Sequence, residues 1–148
     1  MTAHEQEAEG LACTLISITC TTSMTDWVHG DLWLCPDGLL RRSRGWVRTF
    51  GNATSRGVRT SVDPTNRPTH TFGTREVREI ADADRRNWWI PWAEIAEARL
   101  GYGALSHGIH LTITDGRRVS LRWMTGEGGY ELLKETLEAR LGERFRVT

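Results

Sequence analysis

The sequence feature that most constrains the fold is the stretch IHLTITDGRRVSLRW, at residues 109–123. Apolar and polar side chains alternate on both sides of an Asp-Gly pair, a pattern typical of two half-buried strands joined by a tight turn. A two-residue turn would pair Leu111 with Ser120 and would place the two apolar sets on opposite faces. A three-residue loop with Gly116 as the bulge instead pairs Leu111 with Val119. Because a sheet with one buried face needs one consistent register, the sequence predicts the three-residue loop.

A second hairpin is predicted for LWLCPDGLLRR, at residues 32–42. Its proline presets the backbone for the first turn position, and its glycine accepts the left-handed conformation that follows. This combination favours a three-residue loop with a glycine bulge. That loop would pair Leu34 with Leu40 toward the core and Trp33 with Arg41.

The end of the chain, GGYELLKETLEARLG, predicts an amphipathic helix. Its apolar residues recur at spacings of three and four, at Tyr130, Leu133, Leu137 and Leu141. Gly142 follows the last of them and suits a left-handed helix cap. We expect this helix to pack its apolar stripe on the core.

Three tryptophans lie close together in NWWIPWAEI, at residues 87–95. Pro91 excludes a helix through the residues before it and favours an extended chain there. In a strand Trp88 and Trp89 point to opposite faces, so the three rings cannot line one aromatic cage. After Pro91 the local propensity favours a helix, whereas the wider pattern favours a short turn followed by a strand. We predict the turn and the strand.

Each of the three rings then has an expected environment. Either Trp89 or Trp92 is predicted to be a plug of the core. The remaining ring is predicted at the surface, where Arg85 or Arg86 could stack on it.

Positive charge is concentrated in residues 41–75, which hold eight arginines and one acidic residue although the whole chain is balanced. The part from Arg44 to Gly73 is rich in Gly, Ser, Thr, Asn and Pro and shows no period, so it predicts a long mobile loop. Such a loop is either a solvated insertion or an anion-binding element. The candidate anion- or lipid-binding residues are Arg41, Arg42, Arg44, Arg48, Arg56 and Arg59, and the candidate surface aromatic residues are Trp46 and Phe50.

Composition is typical of a soluble globular protein. A length of 148 residues is enough for one domain with its own core. The chain is 39% apolar and 26% charged, which is ordinary for a globular protein. The formal net charge is zero, so composition alone indicates neither nucleic acid nor membrane as a partner. Arginine outnumbers lysine 18 to 1, a bias that indicates a GC-rich, bacterial genome.

The cysteines and the start of the chain bear on localisation. Cys13, Cys20 and Cys35 are an odd and sparse set, which argues against a disulfide framework and favours a reducing compartment. The apolar stretch at 11–20 is too short and too polar to span a bilayer. Acidic residues precede it, whereas a signal peptide begins with positive charge. We predict a cytoplasmic protein, with a peripheral position at the membrane as an extension of that prediction.

Little in the sequence indicates catalysis, and no cofactor or metal is predicted. His107 and His110 are three residues apart on a predicted strand and therefore face opposite sides, which excludes a shared metal. GYGALS, at 101–106, lacks the third glycine of a dinucleotide fingerprint and lies between strands. No nucleophile is accompanied by a recognisable base and a group that orients it. The sequence therefore predicts a protein that is not an enzyme.

Four segments taken in order resemble a pleckstrin-homology-like (PH-like) domain of the GRAM or bacterial PH type. These segments are GDLWLCPDGLL, IPWAEIAEARL, LTITDGRRVSL and the closing helix, and the resemblance covers residues 28–141. It implies an α+β, mainly β fold: a bent antiparallel barrel of about seven strands capped by one C-terminal α-helix. Residues 45–73 would be a basic flexible insertion, residues 142–148 a tail, and residues 1–27 are unassigned. Within these, 11–20 would add an edge strand or pack on the barrel.

The resemblance implies a binding module that docks a protein or peptide partner, at a sheet edge or in the groove beside the helix. The alternative is peripheral binding to anionic membrane lipids through the Arg-rich loop 41–59. The turn of the first hairpin is short and acidic, unlike the longer basic loop of phosphoinositide binders. Nucleic acid is the least favoured partner, because no recognised motif accompanies the arginines.

Overall fold

The computed structural model describes residues 10–22, 29–43 and 61–148 and shows a mainly β, α+β fold within them. The strands in these ranges are β1 (Gly10–Cys20), β2 (Gly30–Cys35), β3 (Gly38–Ser43), β4 (Thr69–Gly73), β5 (Trp88–Pro91), β6 (Ile95–Gly101), β7 (Ser106–Ile113), β8 (Arg118–Met124) and β9 (Phe145–Val147). The α-helices in these ranges are α1 (Thr74–Ala83) and α2 (Tyr130–Leu141). No helix of the described chain is long and apolar enough to cross a membrane.

The strands form two sheets. The five-stranded sheet has the order β4-β1-β2-β3-β5, and the four-stranded sheet has the order β8-β7-β6-β9. Every neighbouring pair is antiparallel except β6 and β9, which are parallel. An isolated bridge between Thr21 and Arg122 joins the end of β1 to β8. Within the described ranges the strand pairing does not close into a barrel.

The main core lies between the two sheets and is covered at one end by α2. It combines buried apolar side chains from both sheets with three leucines of the helix, Leu133, Leu137 and Leu141. The helix ends at Leu141, and Gly142 caps it with a φ of +56° and a ψ of −123°, a combination that glycine tolerates. The sequence prediction of this helix, its apolar stripe and a glycine at its cap is confirmed, but Gly142 does not have the left-handed helical conformation that the sequence predicts.

A second, smaller core lies on the other face of the five-stranded sheet, beneath α1. Val77 is the buried residue of α1, and Phe72 of β4 packs in the same cluster. The prediction of a loop is therefore wrong for the segment Thr69–Gly73, which pairs with β1 as β4. β4 does not follow from the sequence pattern, because it buries a single residue and so shows no apolar period. α1 has a short apolar stripe, Val77 and Ile80, which the sequence prediction missed.

The β7–β8 hairpin has the predicted register. Leu111 lies opposite Val119, and Ile109 lies opposite Leu121. Gly116 has a φ of +94°, as the bulge of the three-residue loop requires. The inward side chains of both strands are buried, and the outward ones are exposed or half-buried. The hairpin therefore has a single buried face, as the prediction of its register assumed.

The β2–β3 hairpin has a different register from the predicted one. Leu34 lies opposite Leu39 and Trp33 opposite Leu40, so the connection is a two-residue turn without a bulge. All six residues of β2 are buried, because one face of the strand contacts the main core and the other contacts the second core. With both faces apolar, alternation cannot select the register. The turn is held from outside, since the indole Nε1 of Trp92 donates to the carbonyl oxygen of Pro36 at 2.8 Å.

The tryptophan segment confirms the predicted turn and strand. Trp88 packs against the main core and Trp89 against the second core, which places their rings on opposite faces of β5. Trp92 begins a short 3-10 turn and is buried in the main core as the plug. The cation over the Trp88 ring is Arg117, 5.8 Å from the ring centroid, and not Arg85 or Arg86 as predicted.

The N-terminal segment is an integral part of the five-stranded sheet. β1 lies between β4 and β2, and therefore occupies the interior of the sheet and not its edge. Cys13 of β1 and Cys35 of β2 form a disulfide, which corrects the expectation of unpaired cysteines. Cys20 is a free thiol, and its complete burial raises its pKa to about 12.

Candidate interaction site

Arg41 is the first of the predicted anion-binding residues, and the structure buries it. Its exposed fraction is 1%. The guanidinium donates from Nη1 to the carbonyl oxygen of Arg86 at 2.6 Å and from Nη2 to that of Cys20 at 3.0 Å. A guanidinium that is enclosed by the protein and bound to its backbone cannot reach an external anion. The prediction of Arg41 as a surface ligand-binding residue is therefore wrong.

Arg42 is partly exposed and has neighbours of its own. It pairs with the carboxylate of Asp31 at 3.4 Å, and its guanidinium lies 5.9 Å from the centroid of the Phe72 ring. The other predicted residues lie outside the described residues, and they are Arg44, Arg48, Arg56, Arg59, Trp46 and Phe50. A lipid-binding loop at 41–59 stays a prediction.

A cluster of rings marks a different site, where the β6–β7 connection meets the start of α2. The ring of Tyr102 lies 4.7 Å from that of His107 and 5.2 Å from that of Tyr130, measured between centroids. His107 in turn lies 5.8 Å from Trp123, its partner across the β7–β8 ladder. Tyr102 is 68% exposed, whereas His107 and Trp123 are 2% exposed. The cluster therefore runs from solvent into the core.

These rings line a concave surface that we call the aromatic groove, with a volume of about 400 Å³. Its residues come from the 64–67 segment, the β6–β7 connection and the start of α2. The groove is lined by Pro64, Arg67, Tyr102, His107, Thr125, Gly128, Gly129, Tyr130, Glu131 and Leu132. Most of these present apolar atoms or aromatic rings, which is typical of a surface that receives an apolar side chain.

The rim of the groove is tied to the end of β8. The hydroxyl of Thr125 donates to the carbonyl oxygen of Gly103 at 2.8 Å, and its backbone N–H donates to that of Leu105 at 3.1 Å. A side chain at Gly103 would meet the carbonyl oxygen of Ser106 at 2.0 Å, so only glycine fits this tight connection. Tyr102 is thereby presented on a constrained backbone.

The base of the groove is held by a buried carboxylate, that of Glu127. Its Oε1 accepts from the hydroxyls of Ser17, at 2.6 Å, and Thr19. Its Oε2 accepts from the backbone N–H groups of Ile18, at 2.9 Å, and Val62, at 2.8 Å. Four donors from two separate segments therefore converge on one side chain, which compensates for burying its charge.

Arg67 crosses the same region and lines the groove. Its Nη2 donates to the carbonyl oxygen of Glu127 at 2.7 Å, and its Nη1 donates to that of Ile16 at 3.1 Å. Burial lowers the pKa of Arg67, and the charge of Glu127 acts in the opposite direction. The two residues that follow Glu127, Gly128 and Gly129, have φ values of +68° and +88° and turn the chain into α2.

His107 is the chemically distinctive side chain of the groove. Its Nδ1 is buried and has no hydrogen-bond partner among the residues that the structure describes. Burial lowers the pKa of His107, so the neutral imidazole prevails at pH 7. A neutral imidazole carries one donor and one acceptor nitrogen. His107 therefore contributes its ring to the floor of the groove, because its unpartnered nitrogen is enclosed by the protein.

The aromatic groove continues into two further hollows. One, of about 200 Å³, also touches Tyr102 and His107 and lies over the cross-strand glycine pair Gly101 and Gly108. The other, of about 470 Å³, lies on the outer surface of the four-stranded sheet. The two share His110 and Thr148, so one continuous surface runs from the groove across the sheet.

The two histidines lie on opposite faces of β7, His107 buried and His110 exposed, as the sequence predicts. In residues 10–22, 29–43 and 61–148, no three His, Cys, Asp or Glu side chains are grouped as metal ligands.

Sequence reasoning did not identify Tyr102 or Tyr130 as site residues. Tyr130 begins the apolar stripe of the helix and is indistinguishable there from a core residue. Tyr102 lies in a glycine-rich connection that predicts only a bend. A signal was available in Tyr102, a large aromatic residue between two glycines, but its partners are distant in the chain.

Comparison with models of known protein families gives no match for this chain, and comparison with curated proteins gives none either.

Proposed function

We propose that the chain is a non-catalytic docking module with PH-like architecture that binds a protein or peptide partner in the aromatic groove. Several structural features support the PH-like assignment. Two mainly antiparallel sheets enclose the main core, α2 covers one end of it, and the bridge between Thr21 and Arg122 joins the sheets at one corner. The segments that carry the resemblance form two hairpins, a short turn and a closing helix in the structure.

The observation that carries the docking function is the exposed ring of Tyr102, which lies against the buried ring of His107. Exposing a large ring to water forgoes the stabilisation that burial would give, so a surface that does this is typical of a binding site. Leu105 and Met124 are exposed beside the same connection and extend the apolar surface. An apolar or aromatic side chain of a partner would fill the groove and contact the rings of Tyr102 and Tyr130.

A peptide selection tests the proposal. A phage library of random dodecapeptides is selected on the full chain, without selection against any variant. We expect recovered peptides to share an aromatic or aliphatic anchor. A synthetic copy should bind the unmodified chain at least about tenfold more tightly than it binds Tyr102→Ala.

Two matched variants sharpen this test. Tyr102→Phe keeps the ring and should retain most of the affinity, whereas Val147→Ala removes an exposed apolar side chain that does not line the groove and should leave affinity unchanged. Peptides that bind Tyr102→Ala as tightly as the unmodified chain would refute docking in the groove.

A further inference from the structure

We propose that the partner carries an acidic segment that lies across the outer surface of the four-stranded sheet. This inference rests on the proposed docking function and specifies the chemistry of the partner. The aromatic groove would receive an apolar anchor, and the adjoining sheet surface would bind the carboxylates that flank it. The surface, which we call the basic face, consists of the outward residues of β6, β7, β8 and β9.

The basic face carries an excess of positive charge, although the chain as a whole has a formal net charge of zero. Four of its outward side chains are exposed arginines, and they are Arg99, Arg118, Arg122 and Arg146. The acidic residue among them is Glu97 on β6. Positive charge in excess on one sheet face attracts a partner of negative charge and speeds its association.

The arrangement of these arginines is unfavourable without a partner. Arg99 lies directly opposite Arg146 on the neighbouring parallel strand, and like charges in this position repel each other. Glu97 compensates in part, because its Oε1 accepts from Nε of Arg99 at 2.9 Å. That hydrogen bond, with the charges of Arg99, Arg146 and Arg118, lowers the pKa of Glu97. One carboxylate thus serves several guanidinium groups, which leaves capacity for further carboxylates.

The dimensions of the basic face fit an extended segment. Arg118 and Arg122 are four residues apart on β8 and face the same side, which separates their Cα atoms by about 13 Å. Extended partner residues at positions i and i+4 have the same separation. Between the two arginines, Ser120 and His110 are bonded to each other at 2.8 Å.

The chemistry around the basic face favours a protein over a nucleic acid. The outward positions of β6 to β9 hold no Phe, Tyr or Trp among the residues described, so bases would lack stacking platforms on the sheet. The rim is apolar, with Tyr102, Leu105 and Met124 exposed near one end. Arginines bordered by tyrosine and methionine are typical of protein interfaces.

The test measures binding of labelled dodecaglutamate to the full chain by fluorescence anisotropy at low salt. The reversal variant carries Arg118→Glu and Arg146→Glu. Its matched control carries Arg78→Glu and Arg85→Glu, which make the same charge change at exposed sites on and after α1. We expect the reversal variant to lose at least about tenfold in affinity and the control to lose less than about twofold. The neutral pair Arg118→Gln and Arg146→Gln should lose an intermediate amount.

Several outcomes would overturn the inference. Equal losses in the reversal variant and the control would mean that binding follows net charge alone. Tighter binding of dodecathymidylate, or of phosphatidylserine vesicles, would assign the face to a nucleic acid or a membrane. Because dodecaglutamate has no apolar anchor, Tyr102→Ala should leave its affinity unchanged. If Tyr102→Ala lowered the affinity for dodecaglutamate and the reversal variant did not, the result would contradict acidic binding on the basic face but not docking in the aromatic groove.

Discussion

Glu127 shows how one buried side chain can connect distant parts of the chain. Its two oxygens have different donors, hydroxyl groups at Oε1 and backbone N–H groups at Oε2. A hydroxyl can rotate and accept a hydrogen bond instead of donating one, whereas a backbone N–H cannot. The two halves of the carboxylate therefore differ in how well they tolerate substitution.

Substitution of Glu127 should separate these contributions. Glu127→Gln can keep its oxygen on the N–H groups of Ile18 and Val62 and turn its amide toward the hydroxyls, so we expect a loss of about 1 kcal/mol in the free energy of unfolding. Glu127→Ala leaves all the donors unpaired and should cost about 4 kcal/mol. Urea denaturation measures both. Equal losses in the two variants would contradict this account. As a control, Glu131→Gln at the helix surface should change the free energy of unfolding by less than about 0.5 kcal/mol.

His107 should make stability depend on pH in a defined direction. Its pKa is lowered in the folded protein by burial, so between the folded and the unfolded pKa the unfolded chain binds more protons. The neutral His107 therefore contributes fully to the free energy of unfolding above the pKa that it has in the unfolded chain, near the ordinary value of 6.5. This contribution is lost as the pH falls from there through the lower pKa of the folded protein. Urea midpoints of the unmodified chain should fall more between pH 7 and pH 5 than those of His107→Phe, which keeps a ring but does not titrate. Parallel pH profiles would contradict the prediction.

At the scale of elements, the disulfide between Cys13 and Cys35 joins two neighbouring strands, β1 and β2. It links positions 22 residues apart and should contribute about 3 kcal/mol by restricting the unfolded chain. We expect dithiothreitol to lower the urea midpoint of the unmodified chain. The double variant Cys13→Ala and Cys35→Ala should have the same midpoint with and without the reductant. An unchanged midpoint in the unmodified chain would contradict the prediction.

The two hairpins explain why one register follows from the sequence and the other does not. Around Gly116 the strands have one apolar face, and matching those faces leaves a single register. In β2 apolar residues occupy both faces, so every register buries apolar side chains. The choice there depends on contacts from a distant segment. A side chain at Gly38 would meet the carbonyl oxygen of Ile90 at 2.2 Å, and Trp92 bonds to both residues of the turn.

At the scale of the whole molecule, β1 connects most of the structure. It pairs with β2 and β4 in the five-stranded sheet, and Thr21 at its end bridges to β8 of the other sheet. It also supplies Ser17, Ile18 and Thr19 to the carboxylate of Glu127. The resemblance that begins at residue 28 therefore leaves out a strand on which both sheets depend.

A chain that begins at His29 should not fold by itself. Without β1 the five-stranded sheet loses its second strand, and Glu127 is left with most of its donors missing. Amide NMR spectra of the fragment 29–148 should lack dispersion. Addition of a peptide of residues 10–22 should restore it, while the same peptide with Ile16→Asp, which places a charge in the main core, should not. A fragment that unfolds cooperatively without the peptide would refute this role of β1.

The candidate site also belongs to this scale. Its residues come from the β6–β7 connection, the end of β8, the start of α2 and the 64–67 segment. Each segment alone is an ordinary turn, strand end or helix start. The predicted arginine cluster, by contrast, is continuous in sequence, and the structure buries Arg41 and pairs Arg42 with Asp31. Nearness in sequence did not make these two a surface site.

The sequence by itself determined the features that depend on nearby residues. These are the β7–β8 hairpin with its glycine bulge, the helix α2 with its leucine stripe and cap, and the break at Pro91 that separates the tryptophan rings. Tertiary structure decided the register of the β2–β3 hairpin, the Cys13–Cys35 pair, the burial of Arg41 and the groove at Tyr102. The physical reason is the distance along the chain over which each effect acts. Apolar periods and turn geometry depend on residues that are close in sequence. Burial of a second strand face and the convergence of distant side chains depend on how whole elements pack.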